Sequence, residues 1–298
     1  MRVTMIITVT GFNGAVTTFT DACVELRARG VDADLYVLCL ARPSGSVNEV
    51  CRPMRSFIVD ALRTFTVGVN AHVLPFDQTF ARRLLTAAAE RGPVVICRDT
   101  LMHLLPREQR CVRHLVLLYP LLVRAARGVE NWTLAAFNDL LATHGVVTVG
   151  NLVNQPWVAG GAYVHWPVGL ARARVDHLRS LAVDTRGPLT TAAYNAARNG
   201  GALNAFEHTV YVYRRREVAP GLTYENIGKL VFEFMLCGKP VRYSAAGKLM
   251  NDGLTEMLAR FAVDDDLDQV LRIPVADLEH ELLDQPFDDL LGIINQVG

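Results

Sequence analysis

The chain has 298 residues, 51% hydrophobic and 20% charged, with 30 Lys and Arg against 30 Asp and Glu. This excludes a disordered or fibrous protein, and at about 150 residues per domain the length suits two domains or one large one, with no disulfides needed to hold a core. No apolar run reaches the roughly 18 residues of a membrane span; the longest, residues 115–123, is flanked by arginines.

The six cysteines, Cys23, Cys39, Cys51, Cys97, Cys111 and Cys237, lie scattered in mostly apolar runs, without a C-x-x-C pair or a signal-peptide pattern. They read as reduced, buried small hydrophobes of a cytoplasmic protein. The zero net charge hides an asymmetry: residues 1–170 hold 16 basic and 12 acidic side chains, the remainder 14 and 18. Of the 30 basic residues 27 are arginine, a bias that fits a GC-rich genome as readily as a need for bidentate phosphate contacts.

In chain order, residues 3–10 form a β-branched strand pattern, stopped by Gly11, Phe12, Asn13 and Gly14 and followed by a helical pattern to Gly30. A second strand over 33–40 follows within a few residues, the spacing of a βαβ unit with a parallel pair. Further strand-like runs at 71–74, 94–97, 114–119 and 146–149 alternate with helical stretches at 80–91 and 131–144. The fold class is therefore α/β, with a doubly wound first domain. Residues 154–170, rich in Gly and Pro, read as a loop and inter-domain connection, with the boundary near Leu170. Beyond it the pattern predicts helices over 171–181 and 190–198, a strand over 208–213, a helix over 225–237 stopped by Gly238, and a strand over 240–243. A helix over 253–260, a short strand over 261–263 and a last helix over 287–296 complete the chain.

Two places carry chemistry. Gly11, Asn13 and Gly14 sit between the first strand and its helix, where backbone N–H groups and the positive end of a helix suit an anion; a plain tight turn explains the glycines equally well. The pattern is not G-x-G-x-x-G, and Leu40, Ala41 and Arg42 stand where an acid would close the second strand, so nicotinamide dinucleotide binding is disfavoured. The second place is Arg214, Arg215 and Arg216 followed by Tyr224, Glu225, Asn226, Gly228, Lys229 and Glu233. Glutamates eight apart on a helix lie within about 80° of one face and about 12 Å apart along the axis, able to grip two ends of one ligand. Gly228 bares backbone N–H groups for a pyrophosphate that the arginines neutralise; a solvated helix face is the alternative.

This run resembles the carboxy-proximal signature of the two-domain (GT-B) glycosyltransferases: Glu, seven residues, Glu, then Gly-x-Pro-Val, matched by Glu225, Glu233 and Gly238, Lys239, Pro240, Val241. The wider run, from Tyr224 through Phe234 and on to Asp252, Gly253, Leu254 and Thr255, is similar to bacteriophage glycosyltransferases whose acceptor is commonly a hydroxymethylated base in DNA. The resemblance implies two facing Rossmann-like domains, the second shortened. Residues 1–170 would hold the acceptor and 171–284 the nucleotide sugar, and 285–298 would cross back as a helix to the first domain. It further implies that Glu225 touches the donor sugar, Glu233 the ribose hydroxyls, and Arg214, Arg215, Arg216 and Lys229 the diphosphate of a nucleotide sugar, UDP-sugar first. The bacterial host cytoplasm is the implied location.

An inverting transfer needs a general base near the acceptor hydroxyl. Asp99, beyond the strand over 94–97, is the first candidate, and His165 beside Trp166 the second. The cluster Arg98, Arg107, Arg110 and Arg113, with His114, Arg124 and Arg127 beyond, suits a phosphate-rich acceptor such as DNA, and Trp132, Trp157 and Trp166 are candidate stacking residues. The eight histidines lack metal-ligand spacing, so no protein-held metal is expected, while a donor-bound divalent cation is compatible. The rival readings are a non-catalytic partner protein of the same fold and an oxidoreductase. Oligomeric state stays open.

Overall fold

The structure, a computed structural model, describes residues 1–11, 14–41, 45–63, 68–97, 99–105, 115–118, 133–150, 155–166, 169–180, 209–211, 217–219, 222–223, 233, 236, 241–243, 270–271 and 279–298. The apolar, β-branched opening becomes β1 (Arg2–Val9), buried at every position after Arg2. A strand buried on both faces must lie inside a sheet covered on both sides. It pairs in parallel with β2 (Asp32–Cys39), Met5 opposite Leu35, and with the short β4 (Val94–Cys97), Met5 opposite Val95. With β3 (Asn70–Pro75), β5 (Leu115–Leu118), β6 (Val147–Gly150) and β7 (Tyr163–His165) the order is β3-β2-β1-β4-β5-β6-β7, every pair parallel. This is a seven-stranded, Rossmann-like α/β sheet.

Between these strands run α1 (Gly14–Ala28), α2 (Val47–Arg63), α3 (Gln78–Ala89) and α4 (Leu134–His144). Ile6, Leu38, Ile96 and Leu117 meet Leu84, Leu85 and Ala88 of α3 and Phe137 and Leu141 of α4 in one core. Helix α3 starts where the Asp77 carboxylate accepts the Phe80 N–H at 2.6 Å. Helix α4 starts at the Thr133 hydroxyl, which accepts from the Ala136 N–H at 3.2 Å, and ends at Gly145 with φ +60°, a left-handed cap that glycine adopts without steric cost. Helix α1 is unlike these, since every residue from Val16 to Leu26 is buried.

The chain divides into two compact units, one comprising Met1–Trp166 with Phe287–Gly298 and the other Pro167–Pro286. In the first, Phe287, at the start of the last helix, sits edge-on to Trp166 with ring centres 6.4 Å apart. The Arg29 guanidinium lies 5.6 Å from the centre of the same ring and bonds Asp288 at 2.7 Å. Both aromatic side chains are buried, which makes this contact a piece of core as well as a cation–π pair.

In the second unit α5 (Arg172–Ser180) is tied to the π-helical turn His280–Asp284, which precedes α6 (Gln285–Val297). Arg172 bonds both Asp284 oxygens at 2.8 Å, and Arg179 forms an ion pair with Glu279 at 2.7 Å. β8 (Thr209–Tyr211) lies parallel to β11 (Val241–Tyr243), with β12 (Val270–Leu271) antiparallel on its other side. β9 (Glu217–Ala219) and β10 (Leu222–Thr223) form an antiparallel pair.

Two elements depart from the expectation. α2 was not anticipated, because Pro53 interrupts its pattern and proline ordinarily breaks a helix interior. The loop expected over 154–170 contains β7, whose three half-buried residues are too few to show an alternation. The helices expected over 190–198 and 253–260 and the strand over 261–263 lie outside the described residues.

Candidate functional site

The strand order fixes where a ligand crevice forms. From β1 the chain winds outward through β2 to β3, then returns to place β4 on the opposite side of β1. The connections leaving β1 and β4 therefore run to opposite sides, and the carboxyl ends of these two strands flank the open switch point of the sheet. Gly11 follows β1 by two residues, and Gly14 opens α1. Asp99 opens the 3-10 turn Asp99–Leu104 two residues beyond Cys97, the last residue of β4 and the register partner of Ile7. The fold thus puts the glycine turn and Asp99 on adjacent strand ends, a juxtaposition invisible in a sequence where they stand 88 residues apart.

The neighbouring strand ends step down in order. Leu40 N–H donates to the Val9 carbonyl and Phe76 N–H to the Cys39 carbonyl, each at 2.7 Å, so the rim is locked by backbone bonds. Val9 and Cys97 are buried, whereas Thr10 is exposed, so the change from core to solvent falls within one residue of the turn.

His165 stands elsewhere on the same edge. It closes β7, opposite Gly150, and is half-buried. Three strand spacings of about 4.8 Å separate β7 from β4, so His165 lies about 14 Å from the β4 end. Asp99 and His165 therefore do not form one acid–base pair around a single hydroxyl. Trp166, next to it, is core against Phe287, and Trp157 packs on the α3–α4 core.

In the second unit, Glu233 and Leu236 are helical and buried, between β8 and its parallel neighbour β11. Arg179 Nε donates to the Leu236 carbonyl at 2.8 Å. Glu233 is 1% exposed; a carboxylate so placed needs hydrogen bonds to offset its lost hydration. The other candidates, Asn13, Arg98, Arg107, Arg110, Arg113, Arg214, Arg215, Arg216, Tyr224, Glu225, Asn226, Gly228 and Lys229, lie outside the described residues, as do His114, Arg124, Arg127 and Trp132.

The cysteines Cys23, Cys39, Cys51 and Cys97 are buried free thiols. Burial pushes Cys23 up to about 12; burial, with the adjacent Cys51 thiol, does the same to Cys39. Neither is a thiolate nucleophile at neutral pH. Among the described residues no group of three or more His, Cys, Asp or Glu side chains could hold a metal ion, and no helix is long and apolar enough to cross a membrane.

Reading the sequence alone missed the carboxylate Asp34, which is held by Arg2, Arg27 and Asn70 at the opposite edge of the sheet. Its signal was an acid inside an apolar strand, which requires a partner.

No protein-family model matches the chain, and no curated protein does. Among solved structures it is similar to an alpha-glucosyltransferase in complex with UDP and a 13-mer DNA containing a HMU base, at 13% identity over 87% of this chain and 70% of that one, with a TM-score of 0.36. That score is below what a shared fold gives.

Proposed function

We propose that the protein is a nucleotide-sugar-dependent glycosyltransferase of the two-domain type, moving a sugar, from UDP first, onto an acceptor hydroxyl. The acceptor we favour is a hydroxymethylated pyrimidine in phage DNA. The observation that carries this reading is the Glu-x7-Glu and Gly-x-Pro-Val run, whose second glutamate lies in a helix between two parallel strands, β8 and β11. A βαβ unit is the supersecondary element that a nucleotide-binding half requires. The seven-stranded unit supplies the other half.

In this reading Glu233 receives the ribose hydroxyls, Glu225 the sugar, and Arg214, Arg215, Arg216 and Lys229 the departing diphosphate, where positive charge lowers the barrier most. The turn Gly11, Asn13 and Gly14 adds backbone N–H groups to the donor. Asp99, at the switch point, takes the acceptor proton as the sugar carbon transfers, with Arg98, Arg107, Arg110 and Arg113 holding acceptor phosphates. His165, about 14 Å along the edge, is left to the acceptor side. No protein-held metal is assigned.

The test is UDP and UDP-glucose binding by calorimetry, with transfer to a duplex bearing a hydroxymethylated pyrimidine. Glu233→Gln is expected to cost about tenfold or more in donor affinity through lost ribose hydrogen bonds. Asp99→Asn is expected to leave binding intact and slow transfer by about a hundredfold or more. A folded wild-type chain that binds no nucleotide and no nucleotide sugar overturns the reading in favour of a non-catalytic partner protein.

A further inference from the structure

The described arginines differ in what holds them, and the exposed Arg55 and Arg91 donate to the Val73 and Ala87 carbonyls. Arg2, Arg27, Arg29, Arg172 and Arg179 are each held by a carboxylate. Arg82 and Arg83, in the middle of α3, are exposed and have no carboxylate partner among the described residues. Arg82 is not loose, however: its Nε donates to the Leu104 carbonyl at 3.2 Å, which fixes the guanidinium.

The rest of the outer face of α3 is uncharged and includes the exposed Phe80. Ala81, Leu84, Leu85 and Ala88 face the core, which leaves Thr79, Arg82, Arg83, Thr86 and Ala87 outward on successive turns. The acids flanking α3 in sequence sit at the helix ends: Asp77 is occupied as the N-cap, and Glu90 is the C-cap residue. Leu104 also ends the turn that begins at Asp99.

We infer that the outward stripe of α3, centred on Arg82 and Arg83, is a docking surface for the phosphate backbone of the nucleic acid whose base is the acceptor. The inference rests on the glycosyltransferase reading and adds to it a surface that positions the duplex. Planar guanidinium groups without carboxylates match phosphates in charge and geometry. Arg82, pre-positioned by its carbonyl, loses little freedom on binding.

The test uses the full chain, a short duplex carrying a hydroxymethylated pyrimidine, and fluorescence anisotropy between about 50 and about 200 mM salt. Arg83→Glu is expected to weaken the duplex about tenfold and to lower the salt slope by about one, Arg83→Lys to retain most of the affinity, and UDP binding to stay unchanged. Thr79→Glu, which adds an acid to the first turn and so favours the helix dipole, is expected to weaken the duplex without lowering the melting temperature. Duplex affinity and salt slope unchanged in Arg83→Glu overturn the surface while leaving the transferase reading in place. A wild type that binds UDP but neither binds nor glycosylates the duplex overturns the DNA-acceptor reading and the surface with it. Equal binding of polyglutamate, lost in Arg83→Glu, assigns the surface to an acidic protein and overturns the inference.

Discussion

The two edges of the seven-stranded sheet are built on opposite terms. At the amino-terminal edge, side chains close on one another: Arg2 bonds Asp34 at 2.6 Å, Asn70 bonds the same carboxylate at 3.1 Å, and Arg27 bonds Asp32 at 3.1 Å. Backbone follows suit, with Thr4 N–H on the Pro93 carbonyl and Asp32 N–H on that of Met1. At the carboxyl edge backbone bonds join the strand ends, Leu40 N–H on the Val9 carbonyl and Phe76 N–H on that of Cys39, and beyond them come Gly11, Asp99 and the exposed Thr10. The described side-chain network gathers at the amino-terminal edge, while the strand order opens a switch point at the other, where ligands bind in sheets of this kind. Substitutions should separate the two.

The largest effect is expected at Gly92, in the connection that brings α3 back to β4. Its φ is +156°, and a Cβ there would collide with the Arg2 backbone carbonyl, which cannot swing aside as a side chain can. Gly92→Ala should cost about 3 kcal/mol or more, read as a shifted urea midpoint. A loss under about 1 kcal/mol would show that the amino-terminal edge is pliant and would remove half of the contrast.

Asp34 comes next. Burial alone would raise its carboxyl, but hydrogen bonds from Arg2 and Asn70, with the charges of Arg2 and Arg27, outweigh it and hold the group below the usual carboxylate range. A carboxyl more acidic in the folded chain than in the unfolded one stabilises the fold above about pH 4, and that contribution is lost as the pH falls through the lowered value. Asp34→Asn should therefore cost about 2 kcal/mol at neutral pH, and the gap to wild type should narrow in acid. A gap that holds constant from neutral pH down through the acid range would mean that the network acts by shape rather than charge.

What could be read beforehand follows the same division. β1, β2 and β4 were legible to within about a residue because strands covered on both faces must be continuous apolar runs. Helix α3 showed its register through Ala81, Leu84, Leu85 and Ala88. Helix α2 hid behind Pro53, although Val50, Cys51, Met54 and Ile58 do share its buried face. The candidate site was legible as pieces, a glycine turn and a lone aspartate. Their adjacency depends on β4 returning to the far side of β1, and no local pattern encodes strand order. Two contacts of the opposite edge join residues more than thirty apart, the Arg2–Asp34 ion pair and the Asn70–Asp34 hydrogen bond, and stood beyond reach for the same reason.

The smallest effect is the most discriminating one. Gly14 is the first residue of α1, and alanine is the better helix former by about 0.5–1 kcal/mol. If the turn after β1 only joins strand to helix, Gly14→Ala should stabilise the protein slightly and change nothing else. If backbone N–H groups there receive a phosphate, as the proposed function requires, an added Cβ should hinder that approach. We expect UDP affinity to fall about tenfold, or about 1.4 kcal/mol, while the melting temperature holds or rises. Opposite signs for stability and binding at a single residue would be the behaviour of an edge kept open for a ligand, and unchanged affinity would return the glycine to the role of a connector.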